Sequence, residues 1–240
     1  MAQIYAVISG KGGVGKSTFV AGIARELVLA EKRVLAVDCD IGLRSLDLML
    51  GCSEDTVFDW GDYILSRCDT EQLIVKGDCD LIAAPRFYEP EFTGENLKKL
   101  IDELKPGYDY IFLDAPAGIG SGFAAAVACA DKAVAITTPD PVCVRSCGRA
   151  VQEAGNSGIE DVKLVINMFE VKPAVKRRLL NIDECIDETL TPLLGVIPMD
   201  RALTFSSVTG EETGEFSPST QAFYRISRRI CGEKVPLVCE

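Results

Sequence analysis

Seven short apolar runs recur along the chain, at residues 4–9, 33–38, 79–84, 110–114, 133–137, 163–167 and 193–197. They are rich in Val, Ile, Leu and Ala and lack the polar alternation of a half-exposed strand, so they read as strands covered on both faces, the pattern of a parallel sheet between helical layers. Between them, four stretches carry apolar residues at helical spacing. In 16–30, Val20, Ile23, Ala24 and Leu27 share a face; in 95–104, Leu97, Leu100, Ile101 and Leu104 do; 142–154 and 219–230 follow the same pattern. Strand and helix in alternation predict an α/β fold, a doubly wound, mostly parallel sheet flanked by helices. Ligands of such sheets bind beyond the carboxyl ends of the strands, so functional residues should follow strands. No repeat, low-complexity tract or linker interrupts the pattern, which predicts one domain over residues 1–240.

The segment after the first run is Gly10-Lys11-Gly12-Gly13-Val14-Gly15-Lys16-Ser17, followed by Thr18 and a helical pattern. It satisfies G-x-x-x-x-G-K-[ST], the Walker A motif. The glycines let backbone N–H groups curl around a polyphosphate, and the helix N-terminus adds partial positive charge. Lys16 reaches the β- and γ-phosphates, and the Ser17 hydroxyl ligates Mg²⁺. The competing explanation is a Gly-rich turn with a helix-capping serine, which neither the full motif nor its strand-loop-helix setting favours.

Lys11, at the second loop position, is badly placed to fold onto its own nucleotide and free to project outward. With it, K-G-G-V-G-K-S resembles the deviant Walker A loop of the MinD/ParA family of P-loop ATPases. The resemblance continues through Val37-Asp38-Cys39-Asp40-Ile41-Gly42-Leu43-Arg44-Ser45-Leu46-Asp47-Leu48, close to the family's D-x-D-I-G-L-R-N-L-D-L. It extends to Asp114-Ala115-Pro116-Ala117-Gly118-Ile119 and Leu194-Gly195-Val196-Ile197-Pro198-Met199-Asp200, and so spans nearly the whole chain.

The resemblance implies an ATP-binding, Mg²⁺-dependent ATPase that dimerises on ATP and acts as a spatial switch in placing the cell-division site. Lys11 corresponds to the lysine that crosses the dimer interface to the partner's nucleotide, Asp40 to the residue that positions the attacking water, and Asp114 to the Walker B carboxylate near Mg²⁺. Asp38 neighbours the same ion. Asn167 and Pro198, Met199 and Asp200 match positions that meet the adenine. Each also has a plainer explanation: an Asp after a strand is commonly a cap or turn residue, and Asn167 is placed to end a strand in a turn. Gly118, Gly120 and Gly122 read either as a loosened loop or as a hydrolysis-sensitive switch.

Composition narrows the chemistry. Lys and Arg number 25 against 36 Asp and Glu, a net charge of -11, and histidine is absent. Nucleic-acid coating is disfavoured, and His-metal sites and His-based nucleophilic catalysis are excluded. A P-loop ATPase needs none of these. The ten cysteines show no C-x-x-C pair, and with no signal peptide or membrane-length apolar run they read as free, mostly buried thiols of a cytoplasmic protein, peripheral to the inner face of the cell membrane if it meets a membrane at all.

Four features depart from the family or leave alternatives open. The amphipathic segment 222–230 reads as a last core helix or as a basic membrane anchor; aligned on the following Gly232-Glu233-Lys234-Val235-Pro236 it matches the core helix, and the usual C-terminal anchor is not seen. Val144-Arg145-Ser146-Cys147-Gly148-Arg149 stands where the family carries V-R-D-S-D-R, on a surface that meets regulatory partners. Lys172, Lys176, Arg177 and Arg178 form a basic cluster, either a solvated face or a contact to DNA as in partition ATPases. The Cys143 and Cys147 pair keeps open a metallocentre-maturation ATPase with surface thiols, and a regulator using ATP only as a structural ligand is a further alternative.

Overall fold

The computed structural model describes residues 2–170, 179–203 and 217–238. All seven apolar runs form strands: β1 (Gln3–Ile8), β2 (Val34–Asp38), β3 (Asp80–Ile82), β4 (Tyr110–Asp114), β5 (Lys132–Thr137), β6 (Val162–Phe169) and β7 (Leu193–Pro198). They pair in parallel in the order β3-β2-β4-β1-β5-β6-β7. The chain fills one half of the sheet through β4, then steps across the central β1 to build the other half.

The α-helices of the described residues are α1 (Lys16–Leu29), α2 (Leu46–Met49), α3 (Trp60–Ile64), α4 (Thr70–Leu73), α5 (Gly94–Leu104), α6 (Ser121–Cys129), α7 (Pro141–Asn156), α8 (Ile182–Thr189) and α9 (Pro218–Ile230). The period of two in a strand divides the core between the sheet's faces. From β1, Ile4, Ala6 and Ile8 join the side chains of α5, α6, α7 and α8, whereas Tyr5 and Val7 join those of α1 and α9. Burial on both faces is why these strands are continuously apolar in sequence.

Five helices lie outside the four stretches that read as helical in sequence, although α8 does place Ile182, Cys185 and Ile186 on one face toward the core. Helices α3 and α4 are single turns set by capping boxes, Asp59 with Asp62 and Asp69 with Gln72, and α8 opens on a third, Asn181 with Glu184. Helix α2 is four residues long, and α6, SGFAAAVAC, is apolar nearly all round, so periodicity is silent for both.

Helix α9 settles one alternative. Its apolar face, Ala222, Phe223, Ile226 and Ile230, is buried against α1 and β7. The Phe223 ring lies so close to Gly22 of α1 that a Cβ there would come within 2.7 Å of it. Segment 222–230 is therefore a core helix, with no apolar face left for a bilayer. No helix of the described residues is long and apolar enough to cross a membrane. The basic cluster Lys172, Lys176, Arg177 and Arg178 lies outside the described residues.

Candidate functional site

Beyond β1 the Ser9 hydroxyl donates to the Lys11 carbonyl at 2.8 Å and closes the base of the loop. Gly13 and Gly15 take positive φ values of 76° and 93°, conformations open chiefly to glycine. Helix α1 begins at Lys16 with Gly15 as its N-cap, so no side chain satisfies its first N–H groups and no acidic residue stands in its first turn. Helix α6, behind Gly120, is uncapped in the same way. By contrast α5, α7, α8 and α9 are capped by Thr93, Asp140, Asn181 and Ser217. The free donors of α1, on the ligand side of the sheet, make an anion site. Lys16 is buried there, and Ser17 is half-buried with its hydroxyl 3.4 Å from that of Ser45.

The sheet register places Asp38 directly beside Asp114 on adjacent strands, with Val7 of β1 on the other side of Asp114. Both carboxylates are buried, yet they are used differently. Asp38 accepts the backbone N–H groups of Asp40, Ser45 and Leu46 at 2.9, 3.0 and 3.1 Å, and burial raises its pKa while these bonds pull it back. It anchors the loop that carries Asp40. Asp114 has a buried Oδ1 with no hydrogen-bond partner. Burial, and then the Asp38 charge, push its pKa up to about 7, while the Ser17 hydroxyl and the Lys16 ammonium pull it back. An orphaned buried carboxylate oxygen beside a serine hydroxyl and a triphosphate loop is the oxygen-donor set that Mg²⁺ takes, so the residues present fit the ion.

Asp40 is half-exposed; partial burial raises its pKa and Lys16 opposes this. Behind it the rings of Trp60, Tyr88 and Phe92 help wall a cavity of 470 Å³, giving the carboxylate an apolar back. Lys11 is exposed. On the base side, Asn167 lies in the buried floor just before the end of β6, which runs on to Phe169, and its amide donates to the Val14 carbonyl of the loop at 2.8 Å. Met199 N–H donates to the Phe169 carbonyl at 2.9 Å, and Met199 is 48% exposed beside the strand ends. Asp200 accepts the Ser219 hydroxyl at 2.7 Å, fastening the loop after β7 to the start of α9; against burial, which would raise its pKa, this bond and others from Ser219 and Ala202 hold it below the ordinary carboxylate range.

Sequence reasoning missed the residues that hold the Asp40 loop in shape. Arg44 forms an almost wholly buried ion pair with Asp47 at 2.8 Å and reaches the Thr56 carbonyl at 3.3 Å. The Trp60 indole N–H donates to the Asp38 carbonyl at 3.0 Å. Arg44 and Asp47 lie within the segment 37–48 on which the resemblance rests, so they were visible without a role; nothing local marks Trp60. The Cys143 and Cys147 pair is corrected: both lie on α7, but Cys147 is fully buried and burial pushes its thiol up to about 12, so the two do not form a surface thiol pair. Groups of three or more metal-ligating side chains are absent among the described residues, whose cysteines are all free.

An uncapped helix behind a Walker A loop with its extra lysine, facing a carboxylate with one unpartnered oxygen at the end of the neighbouring strand, defines a P-loop ATPase of the deviant Walker A class. The family model described as "ParA: NUBPL iron-transfer P-loop NTPase" matches residues 1–231. The septum site-determining protein MinD of Bacillus subtilis is 36% identical over 250 residues, covering 99% of this chain and 92% of that protein; MinD of Synechocystis is 32% identical over 246 residues with the same coverage. Among solved structures, a chain of the MinC:MinD cell division protein complex of Aquifex aeolicus superposes with a TM-score of 0.91 at 31% identity, covering 99% of each chain. MinD of Pyrococcus horikoshii, complexed with Mg-ADP, gives 0.87 at 25% identity over 96% of each. The chain belongs to the MinD branch of the ParA family of P-loop ATPases.

Proposed function

We propose that residues 1–240 act as one ATPase domain that dimerises on binding ATP with Mg²⁺, and that the dimer is the active form of a spatial switch in division-site placement. The observation that carries this reading is the orphaned Asp114 Oδ1, buried between Asp38 and the uncapped N-terminus of α1. Ser17 and Asp114 hold the ion, with Asp38 fixing the adjoining loop. Mg²⁺, when bound, supplies charge neutralisation of the β- and γ-phosphates. Gly10, Gly12, Gly13, Val14, Gly15 and Thr18 shape the cradle, Lys16 holds the terminal phosphates, and Asp40 orients the attacking water. Pro198 and Met199 border the adenine, with Asp200 holding their loop.

Exposed Lys11 reaches the nucleotide of the second copy, so ATP occupancy and dimerisation become one linked equilibrium. The exposed Arg145 and Arg149 of α7 face a regulatory protein, as the partner named in the Aquifex complex suggests. Attachment to the inner face of the membrane depends on segments other than α9, whose apolar face is buried.

The test is Lys11→Ala. Light scattering with ATP and Mg²⁺ should show a dimer for the wild type and a monomer for the variant, with phosphate release lost in parallel. A variant that dimerises like the wild type would refute the trans role of the lysine.

A further inference from the structure

The bond from Asn167 to the Walker A loop belongs to a local arrangement that an adenine contact does not require. Strand β6 breaks register with β7 between Ile166 and Phe169, and within that irregularity Met168 takes a positive φ of 55°, a strained conformation for a residue with a side chain. The irregularity is held by Asn167 itself, whose Oδ1 accepts the Met168 N–H at 2.9 Å. The other end of the same amide, Nδ2, donates to the Val14 carbonyl at 2.8 Å, 153 residues away in sequence. Asn167 is 4% exposed and Val14 is 2% exposed, so this bond is shielded from water. Gly15 is cut to fit: a Cβ on it would collide with the Asn167 amide nitrogen.

The bond constrains more than one carbonyl. In a planar trans peptide the C=O and the following N–H point in opposite directions. Holding the Val14 oxygen against β6 therefore turns the Gly15 N–H away from β6, and Gly15 is the N-cap from which α1 and Lys16 begin. We infer that Asn167 is a positioning residue of the Walker A loop: its amide, aimed by the β6 irregularity, fixes the Val14–Gly15 peptide so that the Gly15 N–H faces the bound polyphosphate. The strain at Met168 is then the local cost of aiming this amide. This inference rests on the proposal that loop 10–17 binds polyphosphate, and it assigns Asn167 a task that is independent of the base.

Magnesium pyrophosphate, which has no base, separates the two tasks. Calorimetric titration of the full chain with magnesium pyrophosphate and with magnesium ADP should show both ligands weakened about tenfold by Asn167→Ala, the effect of losing a buried hydrogen bond and leaving its acceptor unpaired. Asn167→Leu, which fills the same volume without a donor, should do likewise. With ATP, kcat should fall as well as KM rise, because a misplaced cradle loses transition-state contacts, whereas a base contact is uniform binding and raises KM alone. Weaker ADP binding with unchanged pyrophosphate binding, or a rise in KM at constant kcat, overturns the inference and returns Asn167 to the base. Unchanged binding of both ligands overturns it too, as does failure of both variants to fold, which would make Asn167 structural only. A wild type that binds neither ligand overturns the polyphosphate reading itself.

Discussion

Asp38 and Asp114 show how far identical side chains diverge when their backbones do. They are neighbours in register, both buried, and both end a strand. Three backbone N–H groups occupy Asp38, whereas Asp114 keeps an unpartnered oxygen and a pKa pushed up to about 7 by burial first. A carboxylate held in that state costs stability without a cation and supplies a ligand with one. Asp114→Asn should therefore raise the melting temperature of the nucleotide-free protein while lowering Mg²⁺-dependent phosphate release by about a hundredfold or more, the scale of losing a preorganised electrostatic contact. A lower melting temperature would show that the charge itself supports the fold. The chain announced both aspartates as strand-ending residues, but which one is committed to the backbone depends on the turn at 40–46, and no local pattern encodes that.

At the scale of elements, amphipathicity alone does not say what an apolar face meets. Helix α9 carries Phe223, Ile226 and Ile230 on one side and arginines largely opposite, and in isolation it would suit a lipid surface. Gly22 gives Phe223 room to approach α1, and the loop after β7 is fastened to the start of α9 through Asp200 and Ser219. Phe223→Ala should then destabilise the protein by about 3–5 kcal/mol, as for a fully packed aromatic, measured by urea denaturation. A loss below about 1 kcal/mol, together with lost vesicle binding, would instead mark α9 as an anchor. The four long helices with a clear apolar face were legible in sequence to within two residues at each end. Helix α6 was not, because its exposed positions Ala124 and Ala128 are as apolar in kind as its buried ones, which leaves no period to detect.

For the whole molecule, the parallel sheet brings the Walker A loop, the Asp40 loop and the segment after Asp114 to one edge, with α1 and α6 both uncapped there. That edge should be the least stable part of the protein without ligand and the part most stabilised with it. ADP with Mg²⁺ at a hundred times its dissociation constant should add about 2.7 kcal/mol to unfolding, and EDTA should remove part of this gain, as a thermal-shift series would show. Equal stabilisation with and without the ion would argue against the Ser17 and Asp114 site. The net charge of -11 leads to a further expectation: with ATP present, the protein should not retain duplex DNA on a filter at physiological salt, since an acidic body releases few counterions from a phosphate backbone.

Sequence alone determined the seven strands, the parallel α/β architecture, the Walker A loop with its additional lysine and the family, because each is written in short contiguous stretches: an apolar run, a glycine spacing, a motif. Tertiary structure decided the rest. It separated the tasks of Asp38 and Asp114, sent the apolar face of α9 into the core, buried Cys147, and tied Asn167 to a loop 153 residues earlier. The physical reason is common to all four. What a side chain does depends on which polar groups and which surfaces the fold leaves unsatisfied around it, and those neighbours come from distant parts of the chain.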